Sequence, residues 1–123
     1  MIVGIGVDVV YVHRLKRWQE IPGLLQRYFH EDELAASLER GDAAYLSLAV
    51  RFAAKEAFGK ALGTGLEGIM LKDVMVKSHR NGRPEMFVKG TALAALEKSG
   101  AVTIHLSLTH EKDNAIAMVV LEK

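Results

Sequence analysis

The segment of residues 51–65, RFAAKEAFGKALGTG, carries the side chains best suited to chemistry. Its pattern predicts a helix, on which Glu56 and Lys60 lie one turn apart on the same face. A glycine-rich turn, Gly63-Thr64-Gly65, follows at once. A carboxylate, an ammonium group and free backbone N–H groups in one place could bind a metal ion and a phosphate together. The same residues also fit a surface salt bridge on a helix that ends at Gly63, so both interpretations stay open here.

Asp8 is a second carboxylate of interest, because it follows an apolar segment, residues 2–7, that predicts a buried strand. An aspartate at that point is either the N-cap of a following helix or a metal ligand, and the local pattern favours the cap. Two carboxylates together with substrate phosphates are a common protein site for Mg²⁺. Asp8 and Glu56 are therefore candidate metal ligands, provided that the fold brings them together.

Three cations, Arg51, Lys55 and Lys60, fall within ten residues of this helix. Such a run indicates either a solvated helix face or a phosphate site in which Lys60 and the N–H groups after Gly63 hold oxygens. The glycines do not form a Walker loop, since the lysine precedes them. His110, next to Glu111 at the end of a predicted strand, is a lone histidine, a type that is more often structural than catalytic.

A basic cluster surrounds the first predicted helix, with Arg14, Arg17 and Arg27 as its arginines. It indicates either an ordinary amphipathic helix or a docking face for an acidic protein, where complementary charge speeds and orients the encounter.

The composition narrows the class of protein. The chain has 123 residues, half of them hydrophobic, a formal net charge of +1 and no cysteine. The low net charge argues against sequence-independent nucleic-acid binding. The absence of cysteine excludes disulfides and thiol catalysis, and suits a cytoplasmic protein. No apolar run approaches the roughly 20 residues needed to cross a bilayer, and the N-terminus is too short for a signal peptide.

The predicted elements follow the order β-α-α-α-β-β-α-β-β. Strands are expected at residues 2–7, 73–78, 86–88, 103–110 and 115–121, and helices from near Asp8, at 30–40, 43–62 and 91–99, with a short turn or helix at 24–29. Asn81-Gly82 predicts a type I′ hairpin turn. This order indicates one α+β domain over residues 1–123, with helices packed on an antiparallel sheet.

Four sequence motifs, in this order, carry a family resemblance: Gly6-Val7-Asp8; Phe52, Lys55-Glu56, Lys60 and Gly63-Thr64-Gly65; Gly82-Arg83-Pro84; and Ser107-Leu108-Thr109-His110 before Ala115. Together they resemble the holo-acyl-carrier-protein synthase family, the small 4′-phosphopantetheinyl transferases, over residues 2–122. One position departs from the family pattern: Tyr11 stands where an acidic residue is frequent.

The resemblance implies an Mg²⁺-dependent enzyme of fatty-acid biosynthesis in the cytoplasm. Such an enzyme moves the phosphopantetheine arm of coenzyme A to a serine of apo-acyl carrier protein and releases adenosine 3′,5′-bisphosphate. It also implies a homotrimer with active sites between subunits, and no nucleic-acid or membrane partner. The rival interpretations are a CoA-binding module without transfer chemistry, a broad-specificity transferase, which the chain length disfavours, and a structural subunit.

The resemblance also assigns roles to individual residues. Asp8 and Glu56 would bind Mg²⁺; Glu56, Lys60 and His110 would be catalytic; Arg51, Lys60, Gly63, Thr64, Gly65, Pro84 and His110 would contact coenzyme A; and Arg14, Arg17 and Arg27 would dock the carrier protein. The base for the serine is left open among Glu56 acting through a water molecule, Glu111 and His110.

Overall fold

The computed structural model describes every residue from Met1 to Lys123. Five strands and five α-helices follow in the order β1 (Ile2–Tyr11), α1 (Val12–Gln19), α2 (Leu24–Tyr28), α3 (Glu31–Leu38), α4 (Ala44–Leu62), β2 (Val74–Ser78), β3 (Pro84–Val88), α5 (Gly90–Ser99), β4 (Thr103–His110) and β5 (Asn114–Glu122). Two sheets form, an antiparallel sheet in the order β1-β5-β4 and a β2-β3 hairpin. The predicted α+β class with helices on an antiparallel sheet is confirmed.

Helix α4 is the centre of the molecule, and Lys60 is the only exposed residue along it. Strand β1 lies against its backbone because Gly4 and Gly6 leave no side chain between them. A Cβ at Gly4 would stand 1.8 Å from the Ala61 carbonyl oxygen, and one at Gly6 would stand 2.0 Å from the Ala57 carbonyl oxygen. This close approach fixes the strand that carries Asp8 relative to the helix that carries Glu56.

Strand β1 is longer than the sequence predicts, and the predicted N-cap role of Asp8 is wrong. Asp8 pairs with Ala117 inside the sheet, and the pairing with β5 continues to Tyr11 opposite Asn114. Helix α1 begins only at Val12 and has no side-chain cap. The ladder of backbone hydrogen bonds with β5 extends the strand, so the Asp8 carboxylate caps no helix and is available to side chains of α4.

Two further boundaries differ from the sequence prediction. Helix α3 begins with a capping box between His30 and Glu33 and ends at Leu38, short of the predicted end at residue 40. The β2-β3 connection is not a type I′ turn, because that turn needs a positive φ at both central residues and Asn81 has none. Instead residues 79–83 form a wider loop, in which Gly82 supplies the positive φ of 84° and its N–H donates to the His79 carbonyl.

The β1-β5-β4 sheet has two unlike faces. Its inner face carries Gly6, Asp8 and Val10 toward α4, whereas the alternate β1 side chains point outward. These outward residues are apolar and about half exposed: Ile5, Val7, Val9 and Tyr11, joined by Met118 of β5. A large apolar surface therefore remains open on one side of the chain. No helix combines the length and the hydropathy needed to span a bilayer.

Candidate active site

Asp8, Glu56 and Lys60 meet where β1 crosses the last turns of α4. The Lys60 ammonium donates to Asp8 Oδ1 at 3.0 Å and to the Val7 carbonyl at 3.1 Å. The Lys60 side chain is 53 % exposed and that of Asp8 is 17 % exposed, so solvent reaches the pair; the surface around Asp8, Glu56 and Lys60 is called the cleft below. The structure thus brings together Asp8, Glu56 and Lys60, which the sequence singled out. Along the chain, Glu56 is 48 residues and Lys60 is 52 residues from Asp8.

Glu56 is the member of this group whose charged form is disfavoured by its surroundings. Its pKa is raised, first because partial burial disfavours the carboxylate and second because the negative charge of Asp8 lies nearby. The positive charges of Lys60 and Arg14 act in the opposite direction. Asp8 and Glu56 are neighbouring carboxylates, and only Asp8 has a cationic partner. Their oxygens are the ligands that suit a hard divalent cation.

The residues present fit an Mg²⁺ site in which the protein supplies only some of the ligands. No cluster of three or more histidine, aspartate or glutamate side chains is placed to hold a metal ion alone. Mg²⁺ commonly takes one or two protein carboxylates and completes its coordination with substrate phosphates and water. Asp8 and Glu56 can supply such a pair.

The Gly63-Thr64-Gly65 turn follows directly after Lys60. Gly63 ends α4 with a φ of 82°, as predicted, and its N–H donates to the Lys60 carbonyl. The Gly65 N–H donates to the Gly59 carbonyl at 2.9 Å, which closes the turn onto the helix. Within this turn, only the backbone N–H of Thr64 makes no backbone hydrogen bond, and Thr64 is exposed. The turn therefore offers one free N–H and a hydroxyl beside the cleft, fewer donors than the sequence suggests.

Lys55 and Arg51 do not form a solvated helix face with Lys60. Lys55 is fully buried, with its ammonium 2.8 Å from Glu33 Oε1 and within hydrogen-bond reach of the Leu71 and Val74 carbonyls. It joins α4 to α3 and to the start of β2, and burial lowers its pKa. Lys55 is therefore part of the buried framework of the fold and not of an exposed cationic face.

Arg51 lies on the side of α4 opposite Lys60, because nine residues of helix turn by about 900°. It is 4 % exposed, its guanidinium donates to Ser47, and its Nε has no partner. Burial lowers its pKa. It lines a second cavity of about 440 Å³ with Arg40 and Lys77. Within one chain, Arg51 and Lys60 cannot act on the same phosphate.

The predicted docking arginines lie on α1 and α2. Arg17 and Arg27 are exposed, whereas Arg14 is partly buried. The Arg14 guanidinium lies 5.1 Å from the ring centre of Trp18 and 5.6 Å from that of Phe52. Sequence analysis missed this arrangement, although the i,i+4 spacing of Arg14 and Trp18 is the signal that could have found it.

His110 and Pro84 stand apart from the Asp8 cluster. His110 is the exposed last residue of β4, on the same sheet face as Asp8 but two strands away, which is about 10 Å across the sheet. Pro84 begins β3 and lines a groove of about 1090 Å³ between the hairpin and β4, together with Arg83 and His105. The structure therefore does not gather these two residues into the cleft of Lys60.

Comparison with known proteins identifies the family. The sequence model of the 4′-phosphopantetheinyl transferase superfamily matches residues 4–119. A holo-[acyl-carrier-protein] synthase of Treponema denticola is 56% identical over 122 residues, which cover 99% of this chain and 99% of that protein.

Solved structures agree with this assignment. The holo-[acyl-carrier-protein] synthase of Neisseria meningitidis is 36% identical, with a TM-score of 0.90 over 100% of both chains. The enzyme of Bacillus anthracis, solved in complex with CoA (3′,5′-ADP), is 32% identical, with a TM-score of 0.83 over 99% of this chain and 97% of that one. With the motif residues Asp8, Glu56 and Lys60 placed in one cleft, the chain belongs to the holo-[acyl-carrier-protein] synthase family of the 4′-phosphopantetheinyl transferase superfamily.

Proposed function

We propose that this protein transfers the 4′-phosphopantetheine arm of coenzyme A to a serine of apo-acyl carrier protein, for fatty-acid biosynthesis in the cytoplasm. The observation that carries the proposal is the meeting of Asp8, Glu56 and Lys60 beside the Gly63 turn. The structure of the Bacillus anthracis relative in complex with CoA (3′,5′-ADP) supports coenzyme A as the donor. A single hydrophobic cluster of 22 buried residues supports one domain over residues 1–123.

The reaction is a phosphoryl-type transfer in which positioning and charge stabilisation do most of the work. The serine oxygen forms a bond to the β-phosphorus of the pyrophosphate, and the bond from that phosphorus to the bridging oxygen breaks. Adenosine 3′,5′-bisphosphate leaves with the electron pair, and the serine proton goes to a base. When bound by Asp8 and Glu56, Mg²⁺ would neutralise charge on the pyrophosphate oxygens.

Lys60 is placed to stabilise the charge that develops on the phosphates. Its ammonium has three donors, and Asp8 and the Val7 carbonyl take two of them. The third can face a phosphate oxygen in the cleft, next to the free N–H of Thr64. Glu56, whose pKa is raised by burial and by Asp8, is the best-placed candidate base for the serine proton, acting through a water molecule.

A homotrimer with sites between subunits accounts for the residues that one chain leaves apart. The outward apolar face of β1 and β5, which includes Val7 and Met118, is available for contact with a second copy. Arg51 and Lys60 point to opposite sides of α4, so they can serve one coenzyme A only if different subunits supply them. The exposed ring of His110 and the groove beside Pro84 would complete the nucleotide site in the same way.

The carrier protein is proposed to dock on α1 and α2. Arg17 and Arg27 are exposed there, and the charge of Arg14 acts on Glu56, so an acidic partner would be guided toward the cleft. Lys98, which is exposed in the last turn of α5, is a surface cation outside this docking face and therefore serves as its control.

Intact-mass spectrometry of apo-acyl carrier protein, incubated with the protein, coenzyme A and Mg²⁺, tests the proposal. We expect the mass of one phosphopantetheine arm to be added, EDTA to prevent the addition, and Asp8→Asn to abolish it at every Mg²⁺ concentration. The variant Lys98→Gln should react at the wild-type rate. Binding of coenzyme A without any mass gain would refute transfer and favour a binding module. Mass gain that persists in EDTA would refute the metal assignment. Light scattering that gives the mass of one chain would refute the trimer.

A further inference from the structure

Arg14 is a cation without an anionic partner in this chain. It belongs to none of the five ion pairs of the structure and makes no side-chain hydrogen bond, yet it is partly buried. A guanidinium that is withdrawn from water normally pairs with a carboxylate or a phosphate. Arg14 is therefore held neither by an ion pair nor by a side-chain hydrogen bond, and its hydrogen-bond donors remain available to an incoming group.

Two aromatic rings hold Arg14 instead. Trp18 and Phe52 pack edge to face, with ring centres 4.8 Å apart and an angle of 90° between the rings. The Arg14 guanidinium lies within 6 Å of both ring centres, which is cation–π distance. Tyr28 of α2 packs against Trp18 at 5.3 Å and against Phe52 at 6.0 Å. Trp18 and Phe52, called the aromatic shelf below, thus connect α1 to the helix that carries Glu56.

The shelf also sets where Arg14 stands along α4. Phe52 precedes Glu56 by one turn, about 6 Å along the helix axis, and on the same face. The charge of Arg14 acts on the Glu56 carboxyl, in keeping with this proximity. The guanidinium therefore lies near Glu56, on the side of α4 against which α1 packs.

We propose that Trp18 is a positioning residue for the transfer reaction: with Phe52 it holds the unpaired Arg14 guanidinium near Glu56, oriented to receive a carboxylate of the acyl carrier protein. The inference rests on the proposed function. An arginine already held against aromatic rings loses less side-chain freedom when it pairs with a carboxylate, and its planar fork of donors suits a bidentate pair. In this proposal the contribution of Trp18 passes through Arg14.

A double-mutant cycle on Trp18 and Arg14 tests the inference, with initial rates measured while apo-acyl carrier protein and coenzyme A are varied in turn. Trp18→Leu keeps the apolar contact but removes the π face, and we expect it to raise the KM for the carrier protein about 3- to 10-fold, the size of one cation–π contact. The KM for coenzyme A should stay unchanged. Trp18→Phe should restore most of the loss. In an Arg14→Gln background, Trp18→Leu should have no further effect on the KM for the carrier protein.

The outcomes separate positioning from mere packing. Trp18→Leu lowers stability in either background, so unfolding in urea is followed in parallel and a stability change alone does not count. An equal rise of the KM for the carrier protein in the wild-type and Arg14→Gln backgrounds would overturn the inference, since the effect would not pass through Arg14. A rise of the KM for coenzyme A alone would also overturn it and point to a phosphate instead. If the wild-type protein adds no phosphopantetheine to the carrier protein, the proposed function fails and the inference with it.

Discussion

Replacing Gly6 by alanine should disable the cleft by moving β1 away from α4. The added Cβ would lie 2.0 Å from the Ala57 carbonyl oxygen and 2.7 Å from the Ala61 nitrogen. Non-bonded atoms of this kind need roughly 3.5 Å, so the strand must retreat by at least about 1 Å. Both neighbours are backbone atoms of a buried helix and cannot turn aside. The strain should cost about 1–3 kcal/mol of unfolding free energy.

The same movement should cost activity, because Asp8 is two residues further along β1. A retreat of about 1 Å moves the Asp8 carboxylate away from Glu56 and from its 3.0 Å contact with Lys60. Misplacement of catalytic groups by about 1 Å can lower a rate about 10²-fold. We therefore expect kcat/KM for the transfer to fall about 10²-fold in Gly6→Ala.

Gly100→Ala is the matched control for this experiment. Gly100 has a φ of 86°, so alanine there costs about 1–2 kcal/mol of backbone strain. The new Cβ meets only the end of the flexible Lys123 side chain, far from the cleft. Urea unfolding should show similar losses of stability in the two variants, and only Gly6→Ala should lose activity. Wild-type activity in Gly6→Ala, or an equal loss in both variants, would refute the link between this strand and the site.

Three further variants test the electrostatics. Lys55→Met should cost about 3–5 kcal/mol in urea unfolding, because it leaves the Glu33 carboxylate buried without its cation, and adding Glu33→Gln should recover part of the loss; a loss below about 1 kcal/mol would contradict this. Glu56→Gln should abolish transfer yet raise stability in EDTA at neutral pH. The folded-state pKa of Glu56 is raised, so its carboxylate opposes folding above that pKa, and the gain should vanish below about pH 4.5, its ordinary value. Asp73→Ala should cost about 1 kcal/mol at pH 7, because Asp73 accepts hydrogen bonds from the Thr91 hydroxyl and N–H at the start of α5. Since these bonds lower the folded-state pKa of Asp73, the difference should shrink as the pH falls below its ordinary 3.8, and a pH-independent difference would contradict the assignment.

The elements with strong local signals could be predicted from the sequence. Helix α4 ends at Gly63 because glycine adopts the left-handed conformation that closes a helix, and the alternation of residues 103–110 marks β4. The group of Asp8, Glu56 and Lys60 was predicted from residue types and resemblance. Its geometry depends on contacts 48 or more residues apart in the chain.

The errors came from long-range packing that leaves no local pattern. Pairing with β5 carries β1 past Asp8 to Tyr11, although an aspartate before a helix is typical of an N-cap. Lys55 and Arg51 look like surface cations in the sequence, but α3 and β2 lie against them in the fold and both are buried. The outward apolar residues of β1, such as Val7, hide the alternation that would otherwise reveal which face of the strand meets the helix.

The ion pair between Lys60 and Asp8 is weak enough to be exchanged during the reaction. An ion pair with this much solvent exposure contributes only about 0–1 kcal/mol, since water and salt screen it and the lysine chain loses freedom. Lys60 can therefore leave Asp8 for a phosphate at little cost once another cation pairs with that carboxylate. The buried Lys55, which sits on the same helix, is held by Glu33 and two carbonyls and has no such freedom. The two lysines of the motif thus have different roles. Lys55 fixes α4 in the fold. Lys60 stays mobile at the one exposed position of the helix, where the substrate must enter.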